Sequence, residues 1–194
     1  VYKDKEGFVW FGTRNGLSRY DGRRITNFER SRSYPSISNL KEVFDGVLAF
    51  VDNGVFSAFD LKKERFLSVV SSSGQGIPSR GMLQRNDSLV WVISGSELHL
   101  MKRCASKEGE LRLRVQEKYT GWNNQDNLLV AITYSSDKKS ICLIDEKGRI
   151  ILLDATNLNS FRVIDLGRIG SLSVNSVLYD DGRIWISTIA HGVI

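Results

Sequence analysis

Short apolar runs and polar clusters follow one another along this chain, and a helical period never persists for ten residues. Runs of five to eight residues rich in Val, Ile, Leu, Phe and Tyr are cut by clusters of Gly, Asn, Asp and Ser. Such a pattern predicts strands joined by tight turns, with helix almost absent.

The strand runs repeat. The clearest unit is Asp4–Asp21, D-K-E-G-F-V-W-F-G-T-R-N-G-L-S-R-Y-D: a turn, an aromatic and β-branched run, an Asn-Gly turn and a second run. Its echo is Asp180–Thr188 followed by His191-Gly192-Val193, and in both copies the turn glycine stands three residues before the Trp. Weaker copies surround Leu48, Trp91 and Cys142, so the anchors 10, 48, 91, 142 and 185 are 38, 43, 51 and 43 residues apart. A period of roughly 40 to 50 residues suits one four-stranded propeller blade.

With the innermost strand of a blade as a and the outermost as d, the strands are predicted as follows. The second blade has a near 38–44, b 46–51, c 55–60 and d 65–70. The third has 79–85, 88–93, 97–103 and 111–118, and the fourth 127–134, 140–145, 149–154 and 161–165. The expected domain is one partial β-propeller over 1–194, with blades near 1–30, 38–70, 79–118, 127–165 and 172–194. The first blade lacks most of a, and the last ends at the start of its third strand. The fold class is therefore all-β: about four to five four-stranded blades, an open arc of a larger, seven-bladed propeller. The opening VYKDKEGF has no initiator Met, basic start or apolar signal core, so the sequence reads as a piece of a longer chain.

Residues 4–21 carry the unit D-x-x-G-x-[VI]-W-[FI]-[GS]-T-x-x-x-G-[LV]-S-R-Y-D, which resembles the two-component regulator propeller repeat. Ser171–Val177 followed by 180–188 resembles that family's inner strand leading into its Trp strand, and Ile37-Ser38-Asn39 resembles a second inner-strand start. The middle repeats depart from the pattern, with Leu48 and Cys142 in place of Trp. The resemblance implies the periplasmic sensor region of a hybrid two-component histidine kinase that detects oligosaccharides. It also implies partners outside this sequence: remaining blades, an immunoglobulin-like domain, and a second copy in a homodimer.

The 27 basic and 22 acidic side chains leave a net charge of +5. They are spread along the chain, and the densest basic stretch, Arg23–Arg32, is interrupted by Glu29. No zinc, helix-turn-helix or RNP spacing accompanies them, so this segment is expected to bind no nucleic acid. No apolar run approaches the roughly 18 residues that span a bilayer. Cys104 and Cys142 are too few for a disulfide framework; they read as two thiols, or as a pair in an oxidising compartment. His99 and His191 lack ligand neighbours at metal spacing, and no nucleophile elbow, phosphate loop or dinucleotide fingerprint occurs. Neither a catalytic site nor a metal or cofactor site is expected.

Trp10, Trp91 and Trp185 are expected between neighbouring blades, each indole N–H on a backbone acceptor. Gly12 allows close strand approach, and Asn15-Gly16 and Asn53-Gly54 suit turns with positive φ. Asp4 and Asp180 read as turn residues capping nearby N–H groups.

In an antiparallel blade, the d-to-a and b-to-c connections share one face. Loops 12–16, 31–37, 52–54, 71–78, 94–96, 119–126, 145–148, 166–171 and 188–192 are expected there, and binding residues commonly ride on such loops. Tyr119-Thr120-Gly121-Trp122-Asn123-Asn124-Gln125-Asp126-Asn127 sets aromatic rings beside amide and carboxylate groups, the chemistry that binds sugars. The candidate ligand residues are Tyr119, Trp122, Asn123, Asn124, Gln125 and Asp126, with Arg14, Asn15, Asn53 and His191 around them. Trp122 has a plain alternative, tucked against the fourth blade. Two functions stand: a non-enzymatic oligosaccharide sensor, and a propeller scaffold for protein interaction without a small ligand.

Overall fold

The structure is a computed structural model describing residues 1–29, 36–122, 127–166, 174–189 and 192–194. Strands appear where the short apolar runs predict them. The first sheet holds β1 (Tyr2–Lys3), β2 (Val9–Thr13), β3 (Gly16–Tyr20) and β4 (Ile25–Glu29). Next come β5 (Ile37–Phe44), β6 (Val47–Asp52), β7 (Val55–Asp60) and β8 (Arg65–Ser71), then β9 (Gly81–Asn86), β10 (Leu89–Ser94), β11 (Glu97–Cys104) and β12 (Glu110–Tyr119). The chain continues through β13 (Leu129–Tyr134), β14 (Ser140–Asp145), β15 (Ile150–Asp154) and β16 (Phe161–Ile164), and then β17 (Val174–Asp180), β18 (Arg183–Thr188) and β19 (Gly192–Val193). Among the described residues there is no helix. Each group is a meander whose strands pair in sequence order, the blade of a β-propeller.

Two compact units divide the chain: Val1–Val92 with Leu100–Gln116, and Ile93–His99 with Glu117–Ile194. In the first, β5 runs beside β2 on one side and β9 on the other, as inner strands do around a propeller axis. In the second, β13 and β17 are neighbours in the same way.

One feature departs from separate blades. The outer strands β8 and β12 pair in parallel, with Glu110 opposite Ser68 and Leu113 opposite Ser71. The second and third meanders therefore form one eight-stranded sheet in the order β5-β6-β7-β8-β12-β11-β10-β9. Its interior holds Val43, Phe44, Val51, Phe56, Met82, Val92, Leu111 and Leu113, all buried. Apolar residues on both outer strands contribute to that core, and the parallel seam satisfies N–H and C=O groups that would otherwise form two open edges.

A second core lies between the first sheet and β5–β8. Trp10, Leu17, Leu40, Leu48, Phe50 and Phe59 are buried there. Phe59 meets Trp10 at 5.4 Å, Phe28 at 4.9 Å and Phe66 at 5.1 Å between ring centroids. Gly12 is required for this approach. A Cβ at that position would lie 2.6 Å from Ile37 Cγ2 and 2.7 Å from the Ile37 carbonyl oxygen.

The register corrects one anchor. The turn after β2 closes on Thr13 opposite Gly16, and that after β6 on Asp52 opposite Val55. Counting back from those pairs, the counterpart of Trp10 is Ala49, not Leu48. Ala49 belongs to the core of the eight-stranded sheet, whereas Leu48 faces the first sheet. A one-residue slip moves a side chain to the opposite face, and the shared spacing to a turn glycine concealed it. Trp185 lies in the last sheet, on the face turned away from β13–β16; Ile184 and Ile186 pack on the other face. Trp10 and Trp91 are each 1% exposed, but Trp185 is 46% exposed, opposite Leu178 on the outer face of β17–β18.

Candidate functional site

The turn between β1 and β2 builds one wall of a cleft in the first unit. Asp4 Oδ1 accepts hydrogen bonds from the Glu6 and Phe8 amides at 3.0 and 2.9 Å, and Gly7 takes φ +93° to complete the turn. Asp4 Oδ2 accepts the Trp10 indole N–H at 2.8 Å. The expected backbone acceptor for Trp10 is thus a carboxylate, and one side chain ties the turn to the core.

Arg19 on β3 stands directly across from Trp10. Its guanidinium carbon lies 4.7 Å from the centre of the Phe8 ring and 5.7 Å from those of Trp10 and Phe28, within cation–π range. Nη1 donates to Glu64, a residue of the β7–β8 turn held at φ +49°. Arg19 Nε is buried and has no acceptor.

The opposite wall comes from the turn between β5 and β6. Glu42 Oε2 accepts from the Tyr2 hydroxyl at 3.0 Å, and its Oε1 accepts from the Gly46 amide at 3.0 Å. Lys5 Nζ lies 3.3 Å from Glu42 and 3.1 Å from Asp45. Burial, with the neighbouring Glu42, pushes the Tyr2 hydroxyl up to about 12. The Asp45 and Glu42 hydrogen bonds raise the Lys5 ammonium. Between these walls is a space of about 560 Å³, with Leu61 and Lys62 on its rim. It presents fixed donors and acceptors around an aromatic floor. No group of three metal-ligating side chains occurs among the described residues.

The residues expected from sequence are distributed differently. Arg14 and Asn15 are exposed on the β2–β3 turn. Asn15 lines a smaller hollow of about 230 Å³ with Thr13, Ser18, Asn27 and Glu29. Asn53 sits at φ +49° in the β6–β7 turn, with its amide nitrogen 3.2 Å from Asp52 Oδ1. These three belong to the first unit, and Tyr119 and Trp122 to the second. Trp122 is 5% exposed and meets Phe161 edge-on at 6.4 Å, which is the tucked arrangement; its Nε1 has no partner. Tyr119 is half-buried and donates to Glu117. Asn123, Asn124, Gln125, Asp126 and His191 lie outside the described residues.

The cleft opens among a-to-b and c-to-d turns, not among the d-to-a and b-to-c connections expected to carry ligand residues. Its central residues, Phe8, Arg19, Glu42 and Glu64, were not singled out. One signal was present: period-two alternation places Arg19 on the same face as Leu17 and Trp10, and a charge on a core face needs a partner. One further side chain differs from expectation. His99 has a carboxylate beside it, with Nε2 2.6 Å from Glu97 Oε2, and Lys118 is 3.5 Å from the same oxygen. The His99 hydrogen bond, followed by the Lys118 charge, holds the Glu97 carboxyl low against the opposing effect of burial. Both cysteines are free thiols.

No protein-family model matches the chain, and no curated protein matches it. Solved structures do. The chain is similar to an extracellular domain assigned to hybrid two-component system BT3049 of B. thetaiotaomicron, with TM-score 0.71 and 17% identity, covering 96% of this chain and 25% of that one. It is also similar to an extracellular domain assigned to one-component system BT4673 of the same organism, with TM-score 0.70, 14% identity and coverage of 100% and 30%. A third is the β-propeller domain of Cps50 (Swd1) from Myceliophteria thermophila, with TM-score 0.63, 14% identity and coverage of 97% and 61%. At these identities the likeness establishes the β-propeller fold. The chain spans between a quarter and a third of the two bacterial domains.

Proposed function

We propose that the chain is part of a periplasmic ligand-sensing propeller of a hybrid two-component sensor kinase, with an oligosaccharide as ligand and no catalysis of its own. The observation carrying this reading is the cleft of about 560 Å³, where Phe8 and the Arg19 guanidinium lie among hydrogen-bonding side chains from three turns. A hydroxyl-rich ligand suits such walls, since each sugar hydroxyl both donates and accepts. The fold shared with two bacterial extracellular sensor domains supports the same reading. In the parent protein, further blades, an immunoglobulin-like domain and a second subunit would complete the device, and signalling requires that the ligand favour one of two arrangements.

The test is calorimetric titration of the 194-residue chain with a panel of neutral and acidic oligosaccharides. At least one should bind, and the rim substitutions Glu6→Ala and Lys62→Ala together should weaken it by about tenfold without moving the melting temperature. A panel without any binder refutes the reading.

A second reading, a protein-interaction scaffold, is favoured by the exposed apolar face in the second unit. There Leu178 is 58%, Trp185 46% and Val193 67% exposed. Such a face is characteristic of contact surfaces, and a further blade of the parent protein suits it as well as a separate chain does. Leu178→Ser with Trp185→Ser would abolish self-association in sedimentation while leaving sugar binding intact; an unchanged sedimentation profile removes the support this face gives.

A further inference from the structure

Arg19 occupies a position that two other meanders keep apolar. The residue across from the inward-facing β2 anchor Trp10 is Arg19, whereas Ala49 faces Ala58 and Cys142 faces Leu152. A charge brought onto a core face must be compensated. Here the compensation is partial. Of the five donors on the guanidinium, Nη1 meets Glu64, while Nε is shut off from solvent without an acceptor.

Glu64 is a replaceable partner. Its side chain is 46% exposed, on a turn, against 18% for Arg19. The planar fork of arginine matches a carboxylate through Nε and one Nη together, a bidentate contact stronger than a single bond. Of the other acids of the cleft, Asp4 accepts three hydrogen bonds, Glu42 accepts two and Asp45 is paired with Lys5, while Glu6 is exposed to solvent, where its charge is screened. Lys5 and Lys62 add positive charge to the walls.

We propose that the cleft binds a uronic acid unit of an oligosaccharide, whose carboxylate displaces Glu64 from Arg19 and, once the Glu64 side chain has swung out and uncovered it, takes up the vacant Nε donor. This rests on the saccharide-sensing reading and narrows it to acidic sugars. Glu64 then acts as a built-in competitor. Binding exchanges a bond between the first sheet and the β7–β8 turn for a bond to ligand, which loosens one contact between neighbouring blades.

The test uses the 194-residue chain, trigalacturonate and its fully methyl-esterified form, followed by calorimetry. Trigalacturonate should bind, and the uncharged ester should bind about tenfold more weakly or worse. Removing the competitor with Glu64→Gln should tighten trigalacturonate by about fivefold, because the binding-competent state is then more populated. Arg19→Lys should weaken it by about tenfold. If Arg19→Lys fails to fold, the ester comparison and Glu64→Gln decide alone. Equal affinity for acid and ester, or an acid-specific affinity indifferent to Glu64→Gln, overturns the inference and leaves saccharide sensing standing. Binding confined to neutral sugars of the panel has the same meaning. No binding by any sugar overturns both.

Discussion

Replacing Asp4 with Ala isolates the link between a surface turn and the core. The carboxylate accepts from the Glu6 amide at 3.0 Å, the Phe8 amide at 2.9 Å and the Trp10 indole at 2.8 Å, while Trp10 is 1% exposed. Loss of the indole acceptor leaves a buried donor unsatisfied, at about 1–3 kcal/mol, and loss of two bonds in a more solvated turn adds about 1 kcal/mol. The expected cost is therefore about 2–4 kcal/mol. At about 2–4 °C per kcal/mol for a chain of this size, the melting temperature of the first unit should fall by about 4–16 °C. Differential scanning calorimetry reads the shift. A double-mutant cycle with Trp10→Phe separates the parts, because phenylalanine has no N–H to satisfy, and coupling should be about 1–2 kcal/mol. Coupling below about 0.3 kcal/mol would refute the assignment of Asp4 as the indole's anchor and return it to a local turn role.

Other expectations follow from burial and close packing. Gly12→Ala should destabilise by about 2–3 kcal/mol in urea unfolding, since the new Cβ would meet the Ile37 carbonyl oxygen at 2.7 Å. Burial pushes the Lys41 ammonium down from 10.5 to about 8, so the folded chain binds fewer protons than the unfolded one across that window and stability rises with pH there. Lys41→Met should accordingly raise stability by about 1–2 kcal/mol at neutral pH, the full linkage value being reduced by partial exposure, and the gain should vanish as the solution approaches pH 10.5. Burial also pushes the Cys142 thiol up to about 12. A thiol reagent should therefore modify Cys104 in the native protein and Cys142 only as the chain unfolds; rapid labelling of both would contradict the packing.

Strand positions were legible because turn clusters and the apolar runs between them specify them together. Asn53-Gly54 adopts φ +49° and +78°, and the flanking runs emerge as β6 and β7 with bounds close to those predicted. Depth was less legible. All six residues of β6 are buried, so neither face stands out by polarity, and the anchor slipped from Ala49 to Leu48. The parallel seam of β8 and β12 also left no plain mark, since outer strands normally end a blade. Only the buried alternation of Leu111 and Leu113 records it. The candidate site was missed for a similar reason. Asp4 was correctly expected to cap its own turn, but its second oxygen reaches Trp10, and the bonds from Tyr2 and Lys5 to the β5–β6 turn join residues 40 apart. Long-range pairings of that kind are set by the docking of two sheets.

The cleft and the aromatic core are consequences of the same register. β3 sends Leu17 and Arg19 to one face, and both look toward β5–β8. Leu17 is 1% exposed and completes the apolar layer, while two residues further along the strand the layer meets the turn rim. An apolar side chain at position 19 would extend the core to that rim, as Leu152 does across from Cys142 in the second unit. Arginine instead places its cation over Phe8 and leaves a donor without an acceptor. Replacing a half-satisfied buried charge by a well-packed apolar residue is often neutral or stabilising. Arg19→Leu, made together with Glu64→Gln so that no acid is stranded, should therefore keep or raise the melting temperature while eliminating trigalacturonate binding. Binding retained in that double variant would identify the Arg19 cluster as architecture alone, and collapse of the fold would show that the cation is needed to close the aromatic layer.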